Sequence, residues 1–339
     1  MKIRHYSQLE KAFAGTHPIR TDSPELLFMQ AVCAGDEEKA LSFFAPHKLF
    51  SEDVPVVDTP YARYEGLDGI RQFVREFNST FHASESYPVP CIQTFGGGRV
   101  ALEVSVNFTA DGEINQVPMF VIGDFRTPAM LDEVRIYCYY SMVPGLTPYR
   151  KPLFVSAHRE MGDPNLLTGA IREYYEALHH LPRVDVDKIV NCMEDTVTMG
   201  GYGYYEPDDN PNGPLVITKE QARTAYTNMQ PHIPSAIMMR YETLIDDGRT
   251  CVMEWMHVVS RFGREHFNRI SLSCISAYER GEDGRLCSIR IMDYAGKEKL
   301  IDWNRTPLTY DEAKEINFVE KQRPGCGEKP QYDGLKAED

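Results

Sequence analysis

Moving a proton near neutral pH requires a histidine, or a carboxylate shifted by its surroundings, within hydrogen-bond reach of the substrate. Few positions in this chain meet that description. His257 sits in TCVMEWMHVVSRF, on the apolar face of a segment with strand character, and Asp293 lies in the similar run LCSIRIMDY. A polar group on a buried face costs roughly 1–3 kcal/mol unless it is satisfied. Its retention there points to a site or to a satisfied core contact. Arg135 of DEVRIYCYY and Arg290 of LCSIRIMDY occupy equivalent places. Duplicated residues more often serve a shared scaffold than two identical sites, and a strand arginine can pair with Glu103 or Glu254 across the sheet. The His179-His180 pair falls at a helix end, where cationic caps are favourable. Other chemistries lack their signatures: there is no Gly-rich phosphate loop, no HExxH helix and no G-x-S-x-G elbow. The ten histidines show no helical i, i+4 pairing beside a carboxylate, so neither a metal nor an organic cofactor is expected.

The elements that must position these groups are those of an ordinary globular chain. It has 339 residues, 42% of them hydrophobic and 25% charged, which suggests two domains. Thirty-six basic against 50 acidic residues leave a formal charge of -14, a surface that repels phosphate backbones and anionic lipid. No nucleic acid or membrane partner is expected, and the absence of a long apolar run or signal-like start predicts a cytoplasmic protein. Eight scattered cysteines without a CxxC pair read as buried reduced thiols.

One plan is used twice. PELLFMQAVCAGD, EEKALSFFA and GLDGIRQFVREF read as helices, followed by strand-like SYPVPCIQTF, RVALEVSVNF, QVPMFVIGDF and DEVRIYCYYSM. The second half repeats the order with NLLTGAIREYYEALHHL, VDKIVNCM and ITKEQARTAYTNM, then AIMMRYETLI, TCVMEWMHVVSRF, HFNRISLSCISAY and LCSIRIMDY. SEDVPVV parallels MEDTVTM; GRVALEV parallels GRTCVMEW with one inserted residue, bringing Glu103 opposite Glu254; EVRIYCYY parallels SIRIMDYA. His257 then corresponds to Val106 and Asp293 to Cys138. The expected organisation is an N-terminal arm (1–23), a first domain (24–147), a linker (148–163), a second domain (164–304) and a C-terminal arm (305–339). Each domain is expected to be α+β, a curved antiparallel sheet closed against about three helices.

The first copy resembles the nuclear transport factor 2-like superfamily, which includes ketosteroid isomerases, SnoaL-type polyketide cyclases, and scytalone and bile acid dehydratases. AVCAGDEEKALSFFAPH (31–47) is similar to that family's small-residue turn between its first two helices, YEGLDGIRQFV (64–74) to its third helix, and DEVRIYCYY to a late strand. The resemblance implies two cone-shaped domains packed as an intrachain pseudo-dimer. It also implies a site set. The isomerase tyrosine falls on Phe28 in copy one and Tyr174 in copy two; the isomerase base falls near Asp58 and on Gly200. By comparison with the bile acid dehydratases, His82 and Arg135 stand near the substrate. Asp58 precedes Thr-Pro and has turn chemistry as its plain alternative.

The candidate catalytic residues are therefore Asp58, His82 and Arg135 in copy one, and Tyr174, His257 and Asp293 in copy two. The implied activity is that of an isomerase, dehydratase or cyclase acting on a small hydrophobic carbonyl compound, such as a steroid or polyketide. The alternative is a non-catalytic small-molecule-binding or scaffold protein of the same fold.

Overall fold

The structure, a computed structural model, describes residues 2–44, 54–59, 62–79, 84–138, 164–178, 180, 184–200, 204–205, 215–229, 236–260 and 269–293. The expected linker 148–163 and arm 305–339 lie outside the described residues. The chain divides into two compact units: Met1–Arg150 with Gly200–Leu215 and Ile245–Asp247, and Lys151–Met199 with Val216–Leu244 and Gly248–Asp339.

In the first unit, strand β1 (Lys2–Ser7) and helix α1 (Gln8–Phe13) precede the repeat. Helices α2 (Pro24–Ala34) and α3 (Glu37–Ser42) follow, then β2 (Val56–Asp58), β3 (Arg63–Glu65), α4 (Gly66–Ser79), β4 (Glu85–Gly96), β5 (Arg99–Ala110), β6 (Glu113–Thr127) and β7 (Met130–Tyr137). Local chemistry explains the boundaries. Pro24 opens α2 at a position whose amide is unsatisfied anyway, and Gly35 closes it with φ 69°, a left-handed conformation that glycine adopts without a Cβ penalty. Asp36 then caps α3, its carboxylate accepting from the Lys39 amide at 3.0 Å. The small-residue turn read in AGD is this cap-to-cap junction.

The sheet runs β4-β5-β6-β7-β2-β3, with β1 joining β6 in parallel beyond the end of β7, and β9 (Tyr204–Tyr205) pairing with β1. It is mixed rather than purely antiparallel, because β2 lies parallel to β7. Alternation sorts the faces. Leu102, Val104, Val106 and Phe108 of β5 meet the helices in one core with Phe28, Phe73 and Phe77, whereas Glu103, Ser105 and Asn107 take the opposite face and are buried there too. On β6, a Cβ at Gly123 would approach Leu131 Cδ2 to 2.9 Å and Val100 Cγ1 to 3.2 Å, so glycine leaves room for these side chains of the neighbouring strands β7 and β5.

The second unit repeats the plan. Helices α5 (Gly169–Leu178) and α6 (Val186–Asn191), strands β8 (Met193–Met199) and β10 (Leu215–Thr218), helix α7 (Lys219–Met229) and strands β11 (Ala236–Asp246), β12 (Thr250–Ser260), β13 (Arg269–Arg280) and β14 (Leu286–Asp293) form a sheet ordered β11-β12-β13-β14-β8-β10. Asp185 caps α6 through the Lys188 amide at 3.0 Å, as Asp36 caps α3.

Pairing registers align the copies. Asp58 sits opposite Arg135, and Thr198 and Met199 sit opposite Ser288 and Ile289, which makes Gly200 the counterpart of Asp58 when Arg290 matches Arg135. Glu103 pairs with Phe120 and Phe120 with Tyr137; Glu254 pairs with Ile275 and Ile275 with Met292. The matches Glu103 to Glu254 and Arg135 to Arg290 are thus mutually consistent across three strands.

Candidate functional site

Among the described residues, three tyrosines are buried in the interior of the second unit. Tyr174 comes from α5, Tyr226 from α7 at the same helix face as Ala222, and Tyr278 from β13. All three are buried in one apolar cluster with Cys251, Met253 and Ile289. The Tyr174 and Tyr226 hydroxyls lie 2.6 Å apart, and either can donate to the other. The Tyr174 ring packs against Tyr278 at 5.3 Å and edge-on to Tyr226 at 6.5 Å. Burial pushes the Tyr226 hydroxyl up to about 12 and the Tyr174 hydroxyl well above its ordinary range. Both are therefore neutral phenols at physiological pH: hydrogen-bond donors, not bases.

The strand register places the other two copy-two candidates on the same side of the sheet. Position 257 pairs with Leu272 and shares the parity of Cys251 and Met253; position 293 pairs with Cys274 and shares the parity of Ile289 and Ile291. One strand lies between them with a two-residue offset, so their Cα atoms stand about 12 Å apart by ordinary strand spacing.

The interior of the first unit is different. Phe28 packs edge-on to Phe44 at 5.2 Å and stacks on Phe73 at 6.3 Å, and Phe77 continues the series to Phe108 at 5.5 Å. Among the described residues, Tyr64 brings a hydroxyl to this aromatic row, against Phe73 at 5.4 Å, and donates to Glu76 at 2.7 Å.

Of the copy-one candidates, Asp58 and Arg135 are brought together and His82 lies outside the described residues. Val57 and Tyr64 join the helix-side core, so Asp58 and Arg135 occupy the opposite face. There they are parts of an ion network. Arg63 Nη1 donates to Asp58 at 3.1 Å; Arg135 donates to both Asp124 oxygens at 2.9 and 3.1 Å and stands 3.2 Å from Glu133; Arg99 donates to Asp124 at 3.1 Å. Burial opposes the charge of Arg63, but Glu65, Asp58 and Glu133 outweigh it and raise its pKa.

The second unit carries the same device. Arg290 donates to Glu279 at 3.0 Å and to Ser288 at 2.7 Å, and Arg249 donates to Glu279 at 2.7 Å. Register equates Asp124 with Glu279 and Glu133 with Ser288. The recurrence of arginine at 135 and 290 is thus tied to a recurring acid one strand away, which supports the scaffold reading. Glu254 accepts from Thr243 at 2.6 Å.

Sequence reasoning missed Tyr226 and Tyr278, and it missed Asp124 and Glu279 as arginine partners. Tyr226 lies four residues after Ala222 on α7, which was the available signal. The acids become visible only through strand register. Among the described residues no group of three His, Cys, Asp or Glu side chains is placed to hold a metal, and no helix is long and apolar enough to cross a membrane. The described cysteines are free, and burial raises Cys33 to about 12.

No family model matches the chain, and no curated protein does. Solved structures are similar to parts of it. A polyketide cyclase candidate from Sinorhizobium meliloti is 17% identical, with a TM-score of 0.26, over 32% of this chain and 89% of its own. A protein with a ketosteroid isomerase-like fold from Catenulispora acidiphila, in complex with trimethylamine, is 14% identical, with a TM-score of 0.30, over 38% of this chain and 95% of its own. PrhC from Penicillium brasilianum is 11% identical, with a TM-score of 0.29, over 35% and 80%. By its own strand order and helix layering, the chain carries two copies of one α+β cone-like plan, a mixed sheet against helices.

Proposed function

We propose that the second cone holds a small, largely apolar carbonyl compound and moves a proton on it without a cofactor. The observation that carries this reading is the Tyr174–Tyr226 hydroxyl pair, fully enclosed in an apolar cluster, where the first cone has Phe28. In such a pair one hydroxyl donates to the other and leaves a single O–H to give. Aimed at a substrate carbonyl, that donor stabilises the negative oxygen formed when a base removes the neighbouring C–H proton. The phenols stay neutral, so the base is another group, and His257 or Asp293 on the same strand face is assigned that role. The proton returns to a different carbon in an isomerisation; in a dehydration, a β-hydroxyl leaves as water instead. The set Asp58, His82 and Arg135 is the weaker assignment, because Asp58 and Arg135 face away from the helix-side core and are engaged in ion pairs.

A binding-only role is the second reading, favoured by the fact that the two hydroxyls satisfy each other. One experiment separates the two. A panel of steroid enones and β-hydroxy ketones is incubated with the protein in deuterated water, and exchange or conversion is followed by NMR. The catalytic reading expects turnover that His257→Ala or Tyr174→Phe abolishes, with the His257→Ala melting temperature nearly unchanged. Saturable binding with no exchange in the wild-type protein supports the binding reading instead. Loss of stability and activity together in His257→Ala points to a structural histidine.

A further inference from the structure

The first unit has a cavity of about 490 Å³ near an end of its sheet. Its wall includes Arg20, Asp22, Ser23, Phe95, Phe125 and Arg126. The volume falls in the range of small-molecule sites, roughly 300–1,000 Å³. Three features give it chemical character. The Arg20 guanidinium lies 4.2 Å from the centre of the Phe95 ring, forming a flat cationic platform. No carboxylate among the described residues forms a salt bridge with Arg20, whereas Arg126 is held by Asp132 at 2.7 Å. Asp22, on the same wall, is exposed and likewise has no salt bridge.

Behind the wall the polar groups are fixed. Gln93 Oε1 accepts from the Arg20 amide at 2.6 Å, and its Nε2 donates to Ser23 Oγ at 2.7 Å and Glu25 Oε1 at 2.8 Å. This ties the backbone of Arg20 to the sheet, so the platform is pre-organised and little ordering is left for a ligand to impose. Burial raises the Glu25 pKa, against the opposing pull of Ser23, Gln93 and Arg20.

We propose that this cavity binds a flat aromatic monocarboxylate bearing a hydrogen-bond donor at its far end. The carboxylate meets the Arg20 fork, the ring lies between Phe95 and Phe125, and the donor reaches Asp22. The guanidinium attracts one carboxylate, while Asp22 selects against a second negative charge. The site does not depend on the reading of the second cone.

The test uses the full chain and three two-ring probes: 6-hydroxy-2-naphthoate, 2-naphthoate and 2-naphthol. Calorimetry is expected to rank them in that order, and Arg20→Ala to weaken 6-hydroxy-2-naphthoate about tenfold or more through loss of the charged, stacked partner. Arg20→Lys, which keeps the charge and loses the fork, falls between. Arg20 is exposed, so both variants fold, as unchanged melting temperatures will show. The proposal is overturned if 2-naphthol binds as tightly as the acids, if Arg20→Ala leaves affinity unchanged, or if no probe saturates up to about 5 mM, the weak end of specific binding.

Discussion

The interiors of the two cones use the same backbone plan for different purposes. In the first, Phe28, Phe44, Phe73, Phe77 and Phe108 form a continuous aromatic packing. In the second, the helix position of Phe28 is taken by Tyr174, whose hydroxyl meets Tyr226. Outside the interiors the copies agree: an aspartate caps the second helix, and a buried arginine holds an acid on the neighbouring strand. What recurs is what the fold needs; among the differences is an added pair of hydroxyls where burial makes polar groups costly.

The largest expected effect tests the shared part. Removing one partner of a buried ion pair leaves an uncompensated charge and costs about 3–5 kcal/mol. Arg135→Ala takes a partner from both Asp124 and Glu133, whereas Arg290→Ala takes one from Glu279 alone; Arg99 stays on Asp124 and Arg249 on Glu279, which holds each cost below that figure. Urea denaturation is expected to show both destabilised and Arg135→Ala the more so. Equal, negligible shifts would remove the arginines from the scaffold.

The reciprocal swap of the interiors comes next. Phe28→Tyr places a hydroxyl in a packed aromatic core, and Tyr174→Phe leaves the Tyr226 hydroxyl without its partner. Each is expected to cost about 1–3 kcal/mol, the price of an unsatisfied buried polar group. If Tyr174→Phe stabilises the protein, the pair is a functional burden, which sharpens the contrast in favour of a site.

A third test concerns Glu25, whose folded-state pKa is raised chiefly by burial. A carboxyl raised in the folded state holds its proton more tightly there than in the unfolded chain. Its contribution is most favourable below the ordinary carboxylic pKa and is lost as pH rises through the raised value. Urea midpoints measured from acidic to neutral pH are expected to fall more with rising pH in the wild type than in Glu25→Gln. A parallel pair of profiles would place Glu25 in a wetter setting.

The smallest effect is spectroscopic. Tyr226 ionises at about 12, and Tyr174 above its ordinary range, so near-UV absorbance at alkaline pH should retain a late phenolate step after the exposed tyrosines have titrated near pH 10. These are raised acids, so stability is lost only as pH climbs above the ordinary tyrosine value. In Tyr174→Phe the late step is expected to shrink. No late step in the wild type would mean that solvent reaches the pair.

Much of this architecture was legible in the residues. The strand-like run RVALEVSVNF marked β5, and the AGD turn marked the junction of α2 and α3. The repeat equated Arg135 with Arg290 and Glu103 with Glu254, equivalences that strand register reproduces. Site chemistry was less legible. Tyr174 was singled out, but its partner Tyr226 is 52 residues away on another helix, and no local pattern links the two. The cavity beside Arg20 and Phe95 was not visible at all, since 75 residues of sequence separate its platform.

Sequence alone determined which faces are apolar, where helices begin and stop, and that the plan is used twice, because side-chain periodicity and capping are properties of neighbours along the chain. Only the tertiary structure decided which acid each arginine holds, which hydroxyl Tyr174 meets and that Asp58 turns away from the helix-side core. Those outcomes depend on strand register and helix docking, where a shift of one residue exchanges one face for the other.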